Sequence, residues 1–268
     1  MLSHRSHLPQ ELIEPIFDDL DVKSLCACTL LSSSLVAPSQ RLIFRSLVIR
    51  IPHPDFPVSV AEALFAGASH ILRYVRDLTV HLNSEAESFV PQSNLLASIL
   101  PSFHHLECLS IKGPLGTSEL EFLGWDDTML PLQSAIHNLT TSTNLWTLDL
   151  HGFIDVPPSL IILALSSDTK LGLRNIKADP SASHVCDRPA TLRTEQITLR
   201  NVQGIAELIL PDTCTREHLD NIRWLAIGMD PYTHVESRRF IAATANTLRH
   251  LELRCKYLFP SLLVSFPN

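Results

Sequence analysis

Leu145-Trp146-Thr147-Leu148-Asp149-Leu150 is the stretch on which the reading of this chain turns. Leucines stand at its first, fourth and sixth places. The last two are one residue apart, which in an extended strand sets both on one face, with Thr147 and Asp149 on the other. Gly152 follows at once and Pro157 soon after, so a helix through the segment would be stopped. With Val or Ile allowed as the aliphatic, the pattern recurs as Val75-x-x-Leu78-x-Val80, Leu106-x-x-Leu109-x-Ile111, Ile205-x-x-Leu208-x-Leu210, Ile222-x-x-Leu225-x-Ile227 and Leu248-x-x-Leu251-x-Leu253. Weaker versions lie around 173–178 and 197–199, and Leu47-Val48-Ile49 reads as a first strand.

Helix-like segments separate several of these strands: 60–72, 93–103, 130–139, 158–165 and 235–246. A strand followed by a returning helix, repeated, resembles the leucine-rich-repeat pattern. It predicts an α/β chain whose parallel strands stack into an irregular solenoid. Successive second aliphatics (78, 109, 148, 208, 225, 251) are 31, 39, 60, 17 and 26 residues apart, against about 20–29 in regular repeats. The 60-residue gap is read as hiding the two weaker units. Only Val80-His81-Leu82-Asn83 sets an asparagine where the usual loop ladder of such repeats wants one.

The first fifty residues read differently. In Leu8-Pro9-Gln10-Glu11-Leu12-Ile13-Glu14-Pro15-Ile16-Phe17-Asp18-Asp19-Leu20, positions 12, 13, 16, 17 and 20 form the stripe of one helical face. Pro9 suits a first helical turn, whereas Pro15 removes one intrahelical bond. Asp21 is placed to cap a second helix through Ser24–Leu31. Ser32-Ser33-Ser34 is read as a turn before a third segment, Leu35 to Phe44. The Leu-Pro-x-Glu-Leu opening, Ile16-Phe17-x-x-Leu20, Leu25, Cys28 and the closing Leu42-Ile43-Phe44-Arg45-Ser46-Leu47 together resemble an F-box of the form common in fungal F-box proteins. The resemblance covers roughly residues 8–47. It implies a three-helix unit that binds a Skp-type adaptor, and through it a cullin, by way of Leu8, Pro9, Leu12, Ile16, Leu20 and Leu25. The expected division is an F-box-like helical domain over 1–50 and a leucine-rich-repeat-like domain over 51–268, with the first strand, 46–50, already leaning to the repeats. Pro52, Pro54 and Pro57 mark the boundary.

Composition narrows the function classes. With 45% hydrophobic and 18% charged residues the chain reads as a folded globular protein. Its 21 Lys and Arg against 28 Asp and Glu leave a net charge of −7 and no basic tract, so nucleic acid is not the expected partner. No apolar run approaches the roughly eighteen residues that span a bilayer, and Met1–His7 lacks the apolar core of a signal peptide. Six cysteines are therefore read as reduced thiols, and the compartment as cytoplasmic or nuclear, without membrane attachment.

The sequence offers no catalytic or metal-binding constellation. His104-His105 reads as a solvent-facing pair. The thiols of Cys26-x-Cys28 diverge by about 200° on a helix. His184-x-Cys186 has no second pair to complete a zinc site, and Asp126-Asp127 reads as an exposed turn. Asn138-Leu139-Thr140 is a glycosylation sequon read as idle. No catalytic residue, metal or cofactor is expected. The resemblance implies a substrate-recognition subunit of a cullin–RING (SCF-type) ubiquitin ligase, not itself an enzyme. The other reading is an interaction scaffold that recruits no ligase. In either case a protein target would meet the exposed strand face, at Asp77, Thr79, Ser110, Thr147, Asp149, Trp224, His250 and Glu252. Trp224 is the expected aromatic anchor.

Overall fold

In the computed structural model the described residues are 10–50, 65, 67–82, 86–114, 123–125, 129–142, 145–178, 192–210, 219–229, 233–255 and 259–265. Three helices open the chain: α1 (Gln10–Asp18), α2 (Val22–Leu31) and α3 (Ser33–Ile43). The Asp21 carboxylate accepts the Ser24 amide at 2.7 Å and caps α2. The expected turn at 32–34 is tighter than the serine run suggested. Ser32 alone is extended, and its hydroxyl accepts the Ser34 amide, so Ser33 and Ser34 already belong to α3. Pro15 lies inside α1 and Pro38 inside α3, and both helices continue through them.

Nine strands follow one another across a single sheet in chain order: β1 (Ser46–Arg50), β2 (Asp77–His81), β3 (Cys108–Lys112), β5 (Thr147–Val156), β6 (Lys170–Ala178), β7 (Gln196–Gln203), β8 (Trp224–Met229), β9 (His250–Cys255) and β10 (Phe259–Ser265). A two-residue strand, β4 (Leu123–Gly124), pairs with the far end of β5. All pairings are parallel except the last, where β10 returns antiparallel along β9. Helices α4 (Ser69–Leu72), α5 (Ala86–Ile99), α6 (Leu130–Ser142), α7 (Pro158–Ser166), α8 (Ile205–Ile209) and α9 (His234–Thr244) occupy connections between strands. The expected α/β class with a mostly parallel sheet is therefore observed.

Two aliphatic rows explain the register. Leu47, Leu78, Leu109, Leu148, Leu171, Ile197, Leu225 and Leu251 are partners across eight strands. Ile49, Val80, Ile111, Leu150, Leu173, Leu199, Ile227 and Leu253 form the second row. A slip by one residue would turn a whole row to water. Both rows pack in one core with Leu96 of α5, Ile136 of α6, Leu165 of α7 and Phe240 of α9. Each fully buried aliphatic of this size contributes about 1.5–3 kcal/mol.

The two weak units are strands β6 and β7, as the long gap required. Neither has an aliphatic at its entry position, three before the first inward aliphatic: β6 has Asp168 there and β7 has Thr194. Thr169 and Thr194 are buried, and their hydroxyls find carbonyls: Thr169 Oγ1 reaches Leu145 O at 3.0 Å, and Thr194 Oγ1 reaches Ala164 O and Thr169 O at 3.1 Å each.

The Ile205-x-x-Leu208-x-Leu210 segment is not a strand; it forms α8. Its first two aliphatics are three apart, a spacing that also lies along one helical face, and Ile205, Leu208 and Ile209 are buried together. The preceding Gly204 takes a left-handed φ of 78° and turns the chain out of β7. The Glu236 carboxylate, reaching over from α9, accepts the amides of Gly204 at 2.9 Å and Ala206 at 3.4 Å. Those donors open the helix and would otherwise lack partners. Burial pushes the Glu236 carboxyl above its ordinary pKa, and the backbone donors pull it back down.

Candidate functional site

Two surfaces remain once the core is filled. The first is on the opening helices. Leu12 is 55% and Ile16 52% exposed, Phe17 beside them is buried, Leu20 is half-buried and Leu25 is buried. The apolar stripe of α1 is thus split between inside and outside. Leu8 and Pro9 lie outside the described residues. Helix α2 adds Val22, Leu30 and Leu31 at 59%, 87% and 76% exposure, which the stripe on α1 had not pointed to. The signal was there: Leu25, Cys26, Ala27, Cys28, Leu30 and Leu31 make α2 apolar nearly all round, and a ten-residue helix at the surface cannot bury every side.

The second surface is the face of the sheet away from the helices. Strand alternation sorts its side chains into three rows. The row nearest the strand starts contains Asp77, Cys108 and Thr147, then Trp224 and His250 beyond β6 and β7. The middle row is Val48, Thr79, Ser110, Asp149, Gly172, Thr198, Ala226 and Glu252. All eight residues expected on this face therefore lie in these two rows, but as two groups. Asp77, Thr79, Ser110, Thr147 and Asp149 gather on β2, β3 and β5. Trp224, His250 and Glu252 sit apart on β8 and β9. Trp224 is half-buried, whereas Trp146, at the entry to β5, is 61% exposed. It stands between the first two leucines of the motif, before alternation begins.

The third row was not foreseen. Arg50, His81, Lys112, His151, Arg174 and Arg200 are partners on successive strands, followed by Gly228 and then Arg254. A basic residue thus follows the second inward aliphatic on seven of the eight parallel strands. These residues are far apart in sequence, so no basic tract announces them. Aligning the repeats on their aliphatics would have exposed the column. Across the three rows, six cations (Lys170 with the five Lys and Arg of the third row) stand against Asp77, Asp149 and Glu252, a net of +3 on a chain of −7.

The local electrostatics follow from that crowding. Burial, then Lys112 and Arg50, lowers the pKa of His81. Burial lowers that of His151 too, with Arg174, Lys112 and His81 adding to it and Asp149 opposing. Arg200 is depressed by burial and then by Arg174 and Arg254. Asp149 accepts from Ser110 Oγ at 3.4 Å and lies 3.6 Å from Arg174 Nε, and Arg254 pairs with Glu252. The Nε atoms of Arg174 and Arg200 have no hydrogen-bond partner among the described residues. In the first row, burial and the hydrogen bond to Asp77 raise the Cys108 thiol, which holds it protonated rather than nucleophilic.

Just past the basic row, Gly152, Asn175 and Asn201 take left-handed φ values of 81°, 50° and 51° on adjacent strands. Asparagine tolerates that region because its short amide can bond locally. Asn201 Nδ2 donates to Asn175 Oδ1 at 3.0 Å, and Asn175 Nδ2 meets His151 Nε2 at 2.9 Å. With the Asn175 oxygen engaged, its amide nitrogen donates to His151, whose Nε2 must accept, as a neutral ring does. An asparagine pair therefore sits two places after the second inward aliphatic, on Leu173-Arg174-Asn175 and Leu199-Arg200-Asn201, one place earlier than Asn83 stands after Val80. Asn83 itself lies outside the described residues.

Among the described residues no group of three or more His, Cys, Asp or Glu is arranged to hold a metal ion, and no helix is long and apolar enough to cross a membrane. His104 and His105 are exposed in a turn, and Cys26 and Cys28 are free. His184, Cys186, Asp126 and Asp127 fall outside the described residues. No protein-family model matches the chain, and no curated protein matches it significantly.

Proposed function

We propose that this chain is a substrate-recognition subunit of a cullin–RING ubiquitin ligase. Its opening helices act as an F-box that docks a Skp-type adaptor, and its sheet is an irregular leucine-rich-repeat solenoid that holds a protein target. The observation that carries the reading is the apolar surface left open on α1 and α2, at Leu12, Ile16, Val22, Leu30 and Leu31. Exposed apolar surface gathered on one small unit marks a partner site. The resemblance of residues 8–47 says which partner. Strands kept in chain order, helices in the connections and the Asn175–Asn201 link support the solenoid reading.

The chemistry would then be performed by other subunits, and this chain would act by proximity, holding a target lysine near the activated thioester. That role needs a stiff joint between docking and capture. Only Phe44 and Arg45 separate α3 from β1, and the Arg45 carbonyl accepts the amides of Arg76 and Asp77 at 2.8 and 3.0 Å. The helices and the sheet are therefore tied within two residues.

The test is a pull-down with purified Skp-type adaptor. The unmodified chain should retain it. Leu30→Asp with Leu31→Asp should weaken capture about tenfold or more, because truncating interface anchors commonly costs about 2 kcal/mol. Thermal stability should hardly change, since both side chains already face water. Failure of the unmodified chain to bind the adaptor would remove the ligase assignment.

A further inference from the structure

We infer that the basic row across the outward face of the sheet binds an extended acidic polypeptide segment, lying across the strands beside the hydroxyl-bearing middle row. The inference rests on the reading of that face as the target-binding surface, and it names the chemistry of the target. Neighbouring strands are about 4.8 Å apart, so the seven steps from Arg50 to Arg254 cover about 34 Å. An extended chain of about ten residues spans that distance. A carboxylate-rich segment would meet a cation or a neutral histidine at nearly every strand it crossed.

The arrangement of charges favours a polypeptide over a nucleic acid. Asp149 and Glu252 sit in the middle row, where each already engages an arginine of the basic row. A continuous phosphate backbone would be repelled at both places, while a peptide can set a neutral or hydroxyl side chain there. Thr79, Ser110 and Thr198 offer hydrogen bonds along the same path, and the face presents no series of aromatics on which bases would stack.

Uncommitted charge lies at Arg50, Lys112 and Arg200, for which no ion pair exists among the described residues. Among these three, only Arg200 is flanked in the row by arginines on both sides, Arg174 on β6 and Arg254 across Gly228. It folds over Gly228, where a methyl group would stand 3.3 Å from its Cγ, and its Nε has no partner. Glycine at 228 thus leaves room for the Arg200 side chain between β7 and Arg254 on β9.

Fluorescence anisotropy of the full chain with labelled decaglutamate tests the inference. Decaglutamate should bind, decalysine should not, and added salt should weaken binding, as expected for exposed charges. Lys112→Glu with Arg200→Glu should reduce affinity about tenfold or more, because both reversed charges would then repel the acidic segment. Arg238→Glu on helix α9 should leave it unchanged. Because the doubly reversed variant can misfold, Lys112→Gln with Arg200→Gln is measured beside it and should lose affinity to a smaller degree. Equal binding of decaglutamate and decalysine, or no binding of either, overturns the inference. So does tighter binding of a ten-nucleotide oligothymidine through the same residues. Loss of adaptor capture with decaglutamate binding intact would instead sink the ligase reading alone.

Discussion

Gly113 and Gly172 show how differently two glycines of one sheet respond to a methyl group. At Gly113 an added Cβ would stand 2.6 Å from the carbonyl oxygen of Gly152, where β3 and β5 leave their ladder. Both sides of that contact are backbone, so Gly113→Ala should destabilise by about 1–3 kcal/mol. At Gly172 the Cβ would meet the Asp149 carboxylate, the end of a side chain that can move. Gly172→Ala should be near neutral, since restricting the unfolded chain returns about 0.4–1 kcal/mol. Urea midpoints of the two variants check the order. The basic row sets a second expectation at this scale. His81 and His151 resist protonation when folded, whereas in the unfolded chain they titrate near the ordinary 6.5. Their contribution is therefore fully present above about pH 6.5 and is lost as pH falls toward the lowered folded values. The melting temperature should drop between pH 7 and 5, and His81→Gln should flatten that drop. Neither the histidine shifts nor the Gly113 contact was legible in the sequence, because both depend on residues brought together from separate units.

Elements were more legible, and the exceptions have local causes. The inferred helices at 130–139, 158–165 and 235–246 correspond to α6, α7 and α9 within a few residues, since periodicity and proline placement act locally. Ile205–Leu210 was misread as a strand because leucine spacing alone does not separate three-residue helical steps from the start of a strand, and the capping Glu236 lies some thirty residues away. Units β6 and β7 are weak matches because Asp168 and the buried Thr194 stand where the entry aliphatic would be. Thr194→Val keeps the shape but leaves the carbonyls around Ala164 and Thr169 without their hydroxyl. It should cost about 1 kcal/mol, measurable as a shift in the unfolding midpoint with no change in the sheet's circular dichroism.

For the whole molecule, the antiparallel β10 is the feature that repeat reasoning did not reach. In the fold it covers the outer edge of β9, with Leu262 opposite Leu253 and Val264 opposite Leu251. An uncovered strand edge is a template for pairing with another molecule. Leu262→Pro with Val264→Pro removes amide donors that β10 needs. The expected outcome is self-association at micromolar concentration, seen by sedimentation velocity, with the helical signal retained. A variant that stays monomeric would show that β10 does not protect the edge.

The sequence by itself determined the class of fold and most of its rungs. An inward aliphatic pair repeats on strand after strand, and solvent exclusion acts on that pattern wherever each strand lies. True rungs at 47, 78, 109, 148, 171, 197, 225 and 251 are separated by 31, 31, 39, 23, 26, 28 and 26 residues, more even than the motif count suggested. Only the tertiary structure decided what the outward face presents. Charges scattered between residues 50 and 254 become one cationic row through parallel register, which sets the residue after each inward pair about 4.8 Å from its counterpart on the next strand. Net charge sums over the chain and is blind to that alignment, so an acidic protein carries a basic face.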